Sequence, residues 1–256
     1  PPGYSLSQVL HVEQRHVYHR PMYVGDRVWR VAGLESFRLS DRADQLVLKT
    51  DFVAADGTVL QEVWVTLLAR RGAVDPQIAA AAEQVMFGRT VVDQGGTPGP
   101  AVADLLVPED RPAPGPAVSA AADWAAGGEL PGKSYAVSRG NLVAYSGVAG
   151  DPNPIHFSDV LAQQAGLDDV VAQAMLTMAM SGSYLTGMIG DPAAVREFRA
   201  RFTNPVYVPA DAVAEVTFGG KVKTLDRDTG RGEFALTAVH GGRRVFGRCT
   251  ALVDLR

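Results

Sequence analysis

Two residues able to transfer protons, Asp151 and His156, lie five positions apart in the run Tyr145-Ser146-Gly147-Val148-Ala149-Gly150-Asp151-Pro152-Asn153-Pro154-Ile155-His156-Phe157. Gly150, Pro152 and Pro154 rule out a continuous helix or a central strand there, so both side chains share one irregular, stiff loop. An acid and an imidazole held in this way can converge on one small volume, and burial tunes both towards proton transfer near neutral pH. Taken alone, the pair also fits an Asp that caps a turn and a His on the surface. The helix expected next changes the weighting. It starts near Gln173-Ala174-Met175, where free backbone N–H groups and the positive end of the helix dipole collect. That end suits the oxygen of a thioester carbonyl, whose charge grows when the α-carbon loses its proton.

The elements that must hold these groups are legible around them. Ser138 is a candidate N-cap for a short helix through Tyr145. A helical stretch over 158–165 follows the loop, and a longer apolar helix covers 174–188. Arg196, Phe198, Ala200 and Phe202 then alternate with Glu197, Arg199 and Arg201 as a strand with one wet face. Further strands are expected over 212–223, 232–239 and 244–254, with turns at 226–230 and at Gly241-Gly242. Upstream, residues 46–53 and 59–68 form a hairpin around Asp56-Gly57. The Ala-rich residues 77–86 suggest a helix. Gly95, Gly96, Pro98, Gly99, Pro100, Pro108, Pro112, Pro114 and Pro116 mark 93–116 as a linker between a lobe at 1–92 and a lobe at 117–256. The lobes echo one another: His19-Arg20-Pro21-Met22-Tyr23-Val24-Gly25-Asp26 parallels Thr203-Asn204-Pro205-Val206-Tyr207-Val208-Pro209-Ala210-Asp211, and the same order of elements follows each.

With those residues in place, residues 145–156 resemble the signature of the MaoC-like (R)-specific enoyl hydratase/dehydratase family. The resemblance continues through Gly166-Leu167-Asp168, Met175-Leu176-Thr177-Met178, Gly190-Asp191-Pro192 and Phe246-Gly247-Arg248. Within the family the second lobe is most similar to the catalytic subunit of the mycobacterial-type type II fatty-acid synthase dehydratase. The first lobe, through Tyr18-His19-Arg20-Pro21 and Asp56-Gly57, looks like its non-catalytic partner subunit, so the chain resembles a fusion of the two. The resemblance implies an α+β double hotdog, each lobe wrapping a curved antiparallel sheet around a central helix. The first lobe is expected to be incomplete, lacking its long helix and first strand. The resemblance also implies dehydration of (3R)-hydroxyacyl thioesters to trans-2-enoyl thioesters, reversible as hydration. It assigns catalysis to Asp151 and His156, with acid and base roles left open. Asn153, Gln173 and Met175 are expected to bind substrate, and the Ala174 backbone N–H to donate to the thioester oxygen. The family pattern has His-Gly where Gln173-Ala174 stand, and an Ala Cβ narrows the approach to that N–H.

The expected substrates are acyl chains on acyl carrier protein in fatty-acid elongation. Enoyl-coenzyme A in acyl catabolism is the alternative, and a non-catalytic acyl-binding or assembly module is a second. No cofactor is expected, because the thioester itself acidifies its α-proton. Arg196, Arg199 and Arg201, and likewise Arg243, Arg244 and Arg248, are candidates for phosphate contacts, although such arginines are usually only solvated. Met175, Met178, Met180 and Met188 read as core that could also wall an acyl chain. His11, His16 and His19 do not suggest metal, since strand alternation places His16 on the opposite face from the other two. Gly95-Gly96-Thr97-Pro98-Gly99 lacks the lysine and helix of a phosphate loop, and Ser181 and Ser183 lack a nucleophile elbow.

Composition bounds the remainder. Lys and Arg number 24 against 28 Asp and Glu, a net charge of −4, which argues against nucleic-acid and anionic-membrane partners. The single Cys249 allows no intrachain disulfide. No apolar run nears the roughly 20 residues of a membrane span, and Pro1-Pro2-Gly3-Tyr4 carries no signal-peptide pattern. The expectation is a cytoplasmic protein whose first lobe is either degenerate or preceded by a further N-terminal segment, and which forms a homodimer of double hotdogs if exposed sheet edges pair.

Overall fold

The computed structural model describes residues 9–41, 43–71 and 124–255. The helix expected over 77–86 and the linker at 93–116 lie outside them. Four strands come first: β1 (Val9–Tyr18), β2 (Val28–Arg38), β3 (Asp44–Ala54) and β4 (Val59–Ala69). Then come β5 (Glu129–Val137), α1 (Arg139–Ala149), α2 (Asp159–Gln164), α3 (Ala174–Ile189), β6 (Val195–Phe202), β7 (Ala214–Leu225), β8 (Arg231–His240), the two-residue β9 (Arg243–Arg244) and β10 (Phe246–Asp254). The strands form one antiparallel sheet in the order β2-β3-β4-β1-β6-β10-β8-β7-β5, with β9 beside β8. The two sheets expected from the sequence are thus continuous, joined where β1 pairs with β6.

The duplication is visible in the strand order. The run β1, β2, β3, β4 occupies places matching β6, β7, β8, β10 in mirrored halves, and the two Pro-x-Tyr-Val segments follow β1 and β6 respectively. The second half adds β5 at its edge and α3 across its inner face. The first half has neither counterpart among the described residues. Helix α3 is apolar nearly all round because it is buried on several sides. Thr177, Met178, Ser181, Tyr184, Leu185 and Ile189 are buried on it. They meet a floor of inward residues, Val216, Phe218, Val222, Phe234, Leu236, Ala238, Ala251 and Val253. Phe218 and Phe234 are 0% exposed, and each such ring contributes roughly 1.5–3 kcal/mol relative to exposure. No helix among the described residues is long and apolar enough to cross a membrane.

At the seam the outer face carries charge. Arg15 sits opposite Arg199 in the β1–β6 register, a like-charge juxtaposition that would be destabilising alone. Each guanidinium instead forks onto a carboxylate of the other strand: Arg15 Nε and Nη2 onto Glu197 at 3.0 and 2.8 Å, and Arg199 Nε and Nη2 onto Glu13 at 2.9 and 2.5 Å. The seam is therefore stitched by charge on its wet side, while Gln14 and His16 meet Ala200 and Phe198 on the other.

One expectation about this seam is overturned. A β-bulge between His11 and Glu13 breaks the alternation in β1, so His11 and His16 share the inner face. His19 lies past the strand end and reaches Glu62, 2.8 Å away. A bulge adds one residue to one strand and rotates every later side chain, which simple alternation does not foresee. His16 is wedged between the amides of Gln14 and Gln61, at 3.0 and 2.9 Å from its two ring nitrogens, and stacks on Tyr18.

Burial, reinforced by neighbouring His11, holds His16 down at about 4 from its ordinary 6.5. Between those values the unfolded chain takes up a proton that the folded protein refuses, so stability falls as pH drops through the window. At pH 4.5 this amounts to about 2 kcal/mol relative to pH 7. Urea unfolding of the wild type and of His16→Gln at both pH values should show that acid loss shrinking by about this amount in the variant. An identical loss in the two proteins would show that His16 is not the group responsible.

Candidate active site

The loop that carries Asp151 and His156 is shaped by local caps. Ser138 caps α1 through Asn141 in a reciprocal box, and Gly150 ends the helix at φ 64° and ψ 34°, a left-handed turn that glycine takes without strain. The chain then leaves α1 with the Asp151 N–H still donating to Ser146 O at 3.1 Å. Asp151 Oδ1 accepts from the Asn153 N–H at 3.2 Å, and Asn153 Oδ1 accepts from the Ile155 N–H at 3.3 Å. These bonds start a 3-10 turn at Pro154–His156. Asn153, expected to bind substrate, thus uses its side-chain oxygen to fold the loop.

His156 is fixed from below. Its Nδ1–H donates to the Val171 carbonyl at 2.7 Å, and its side chain is only 9% exposed. Val171 is held in turn, since its N–H donates to Ile155 O at 3.2 Å while Ala172 and Val208 exchange bonds with Val206 and Val170 at 2.8 Å. The imidazole is left with Nε2 facing Asp151 Oδ2 at 3.5 Å. The Asp151 side chain is 39% exposed, so the pair has one buried and one open member. Contact with His156 holds the Asp151 carboxyl below the usual carboxylate range, against the opposing effect of partial burial. With Nδ1 committed to Val171, Nε2 is the ring nitrogen left to exchange a proton beside Asp151.

Helix α3 starts at Ala174, three residues after the Val171 that holds His156. Gln173 is its N-cap residue but makes no side-chain cap. Its buried side chain turns inward, with Nε2 donating to Leu142 O at 3.1 Å and to Ser146 Oγ at 2.9 Å. Gln173, expected to bind substrate, therefore anchors α3 onto α1, and its Oε1 has no hydrogen-bond partner. The Thr177 N–H bonds to Gln173 O at 3.2 Å, so the N–H groups of Ala174, Met175 and Leu176 are the ones a helix start leaves over. Met175 is half-buried against the core.

The expected phosphate contacts are dispersed. Arg199 is engaged by Glu13, and Arg199 and Arg201 project to the outer face of the sheet. Arg196 lies 3.8 Å from Asp254. Arg199 and Arg201 point away from the helix side, because alternate residues of one strand face opposite ways. Two groups that sequence reading passed over do bear on Asp151. Tyr145 is pushed up by burial and by the Asp151 charge. His11, from the first lobe, is pushed down by burial while feeling the Asp151 carboxylate; it meets Phe202 edge-on at 5.1 Å. Tyr145 stood inside the signature run; nothing in the order of residues links His11 to a loop 140 positions away (151 − 11 = 140).

Comparison with known proteins supplies a family for the chain. A family model described as a MaoC-like domain matches residues 125–239. A solved MaoC-like dehydratase is 31% identical, with a TM-score of 0.83 over 98% of this chain and 76% of that one. The chain belongs to the MaoC-like dehydratase family. HtdX of Mycobacterium tuberculosis, 20% identical with a TM-score of 0.59 over 98% of this chain and 79% of its own, shares the fold of this MaoC-like protein. The UPF0336 protein of Mycobacterium leprae is 33% identical over 70 residues, which are 27% of this chain and 42% of that protein. The match therefore spans less than half the length of the curated relative.

If Gln173 is the strut between α1 and α3, Gln173→Ala removes two buried hydrogen bonds and opens a cavity, costing about 2–4 kcal/mol. Thermal unfolding of this MaoC-like protein should drop by roughly 5–10 °C. An unmoved midpoint would show that the helix start does not lean on this side chain.

Proposed function

We propose that the protein is a hydro-lyase that interconverts (3R)-hydroxyacyl and trans-2-enoyl thioesters, with Asp151 and His156 as its catalytic residues. The observation that carries this reading is the facing of Asp151 Oδ2 and His156 Nε2 at 3.5 Å while Val171 holds Nδ1. In hydration, ionised Asp151 takes a proton from water as its oxygen attacks C3, and the His156 imidazolium delivers the Nε2 proton to C2. Dehydration is the reverse: neutral His156 removes the C2 proton and protonated Asp151 gives its proton to the departing hydroxyl. The pair carries one mobile proton throughout, so the balance closes with no other acid or base. The depressed Asp151 carboxyl favours its ionised form, the form that takes a proton from water in hydration.

The charge that gathers on the thioester oxygen needs a donor, and the Ala174 N–H at the start of α3 fits that role. Family membership supports the reaction class. The acyl group arrives on acyl carrier protein in chain elongation or on coenzyme A, two carriers that present the same thioester. Both forms belong in the assay.

Hydration of trans-2-enoyl-coenzyme A and its carrier-bound equivalent, followed by loss of the enoyl absorbance, tests the dyad. Asp151→Asn and His156→Ala should each lose at least about a hundredfold in kcat. A folded wild type inactive on both forms, or variants that keep their rate, would remove the proposal.

The oxyanion role has its own test. Ala174→Pro deletes one N–H at the first helical position, where proline is tolerated, and Gln173 already sits at φ −58° and ψ 133°, which a following proline accepts. The variant should fold normally and lose roughly 10²–10³ in kcat. Full activity would place the donor elsewhere.

A further inference from the structure

The outer face of the second half of the sheet contains a groove of about 500 Å³, on the side away from α3 and the Asp151–His156 pair. We propose that this groove is a binding site for a small anion bearing a diphosphate, separate from the acyl-thioester site. Its rim carries Lys221, Arg244 and Arg248. Arg201 stands beside Arg248 in the β6–β10 register and extends the basic edge. None of these four has a carboxylate partner among the described residues.

Several cations elsewhere on the same face are paired: Arg15 lies against Glu197, Arg199 against Glu13, Lys49 against Asp51 and Glu62, and Lys223, also at the groove, against Glu233 at 2.7 Å. Arg30 and Arg38 on β2 stand alone among the described residues, whereas Lys221, Arg244, Arg248 and Arg201 are gathered at one groove. Glu129 is the carboxylate on this rim; it pairs in register with Lys221 but makes no ion pair with it. The groove thus keeps an excess of positive charge on a chain whose net charge is −4, so the attraction is local.

The floor is built to be low. Thr237 and Thr250 point outward with short hydroxyl side chains, and Gly220 lies between them and the β5 edge. Gly220 sits at φ 154°, and a Cβ there would come within 2.3 Å of Ala235 O. A side chain there would push β7 and β8 apart beneath the groove. Two arginines that fork onto phosphate oxygens, a lysine as point charge and hydroxyl donors below form a set suited to a diphosphate. The volume lies in the range of small-ligand pockets.

Calorimetric titration of the full chain with ADP and with inorganic pyrophosphate, at about 150 mM salt, tests the proposal. At least one probe should bind with Kd below about 1 mM, and Lys221→Ala/Arg248→Ala should weaken it by about tenfold or more. Binding of pyrophosphate alone would assign the site to the diphosphate, and tighter ADP binding would add the nucleoside. Hydration of an enoyl pantetheine thioester lacking phosphate should be unchanged in the variant, which reports that it folds. That control also separates this site from the catalytic reading: loss of phosphate binding and loss of hydration would be independent results. No binding by the wild type, binding that vanishes at this salt concentration, or binding equal in the variant would overturn the proposal.

Discussion

The hydrogen bond from His156 Nδ1–H to the Val171 carbonyl is the contact on which the site depends. An imidazole on an irregular loop has many orientations, and the loop itself lacks the hydrogen-bond ladder of a strand or helix. By tying Nδ1, Val171 selects the tautomer, turns Nε2 towards Asp151, and commits the second nitrogen to proton transfer. Val171 is held in turn by Ile155 and by the bonds that link 170–172 to 206–208. The same short segment feeds directly into α3. One backbone segment thus both anchors the imidazole and leads into the helix start.

The sheet supports this arrangement through a division of labour between its faces. The inner face of the second half is apolar and carries α3, which stays put because residues such as Phe218 and Phe234 have no alternative burial. The outer face carries charge, and at the seam those charges stitch β1 to β6. The first lobe is therefore more than an appendage: its β1 is a neighbour of β6, and through His11 it touches the electrostatics of Asp151. The bulge in β1 brings His11 to that side. A deletion of one residue there would turn His11 outward while leaving the strand's composition unchanged.

Much of the second lobe was legible from residue order because its signals are local. Ser138 and Asn141 cap a helix, Gly150 ends it, and Pro152 and Pro154 stiffen the loop by their own backbone limits. The alternation in Arg196–Phe202 reports a two-sided strand, and the apolar continuity of 174–188 reports a helix buried all round. The internal partners of the polar residues were not legible. Gln173, Asn153 and Arg199 stand beside chemistry-bearing motifs, and sequence points them to ligands. In the fold each also satisfies the protein's own backbone or a neighbouring charge, a partner brought from 2 to 186 positions away.

The sequence by itself determined the family signature, the presence of an acid and an imidazole on one rigid loop, the helix that begins after Gln173 and the repeated order of strands. All of these rest on dihedral preferences, periodicity and spacing along the chain. Only the tertiary structure decided that the two sheets are one, that His11 shares a face with His16, that Gln173 is a strut and that the unmatched cations Lys221, Arg201, Arg244 and Arg248 surround a groove. Those outcomes depend on register and on a single bulge, and a shift of one residue in pairing reverses every side chain along a strand.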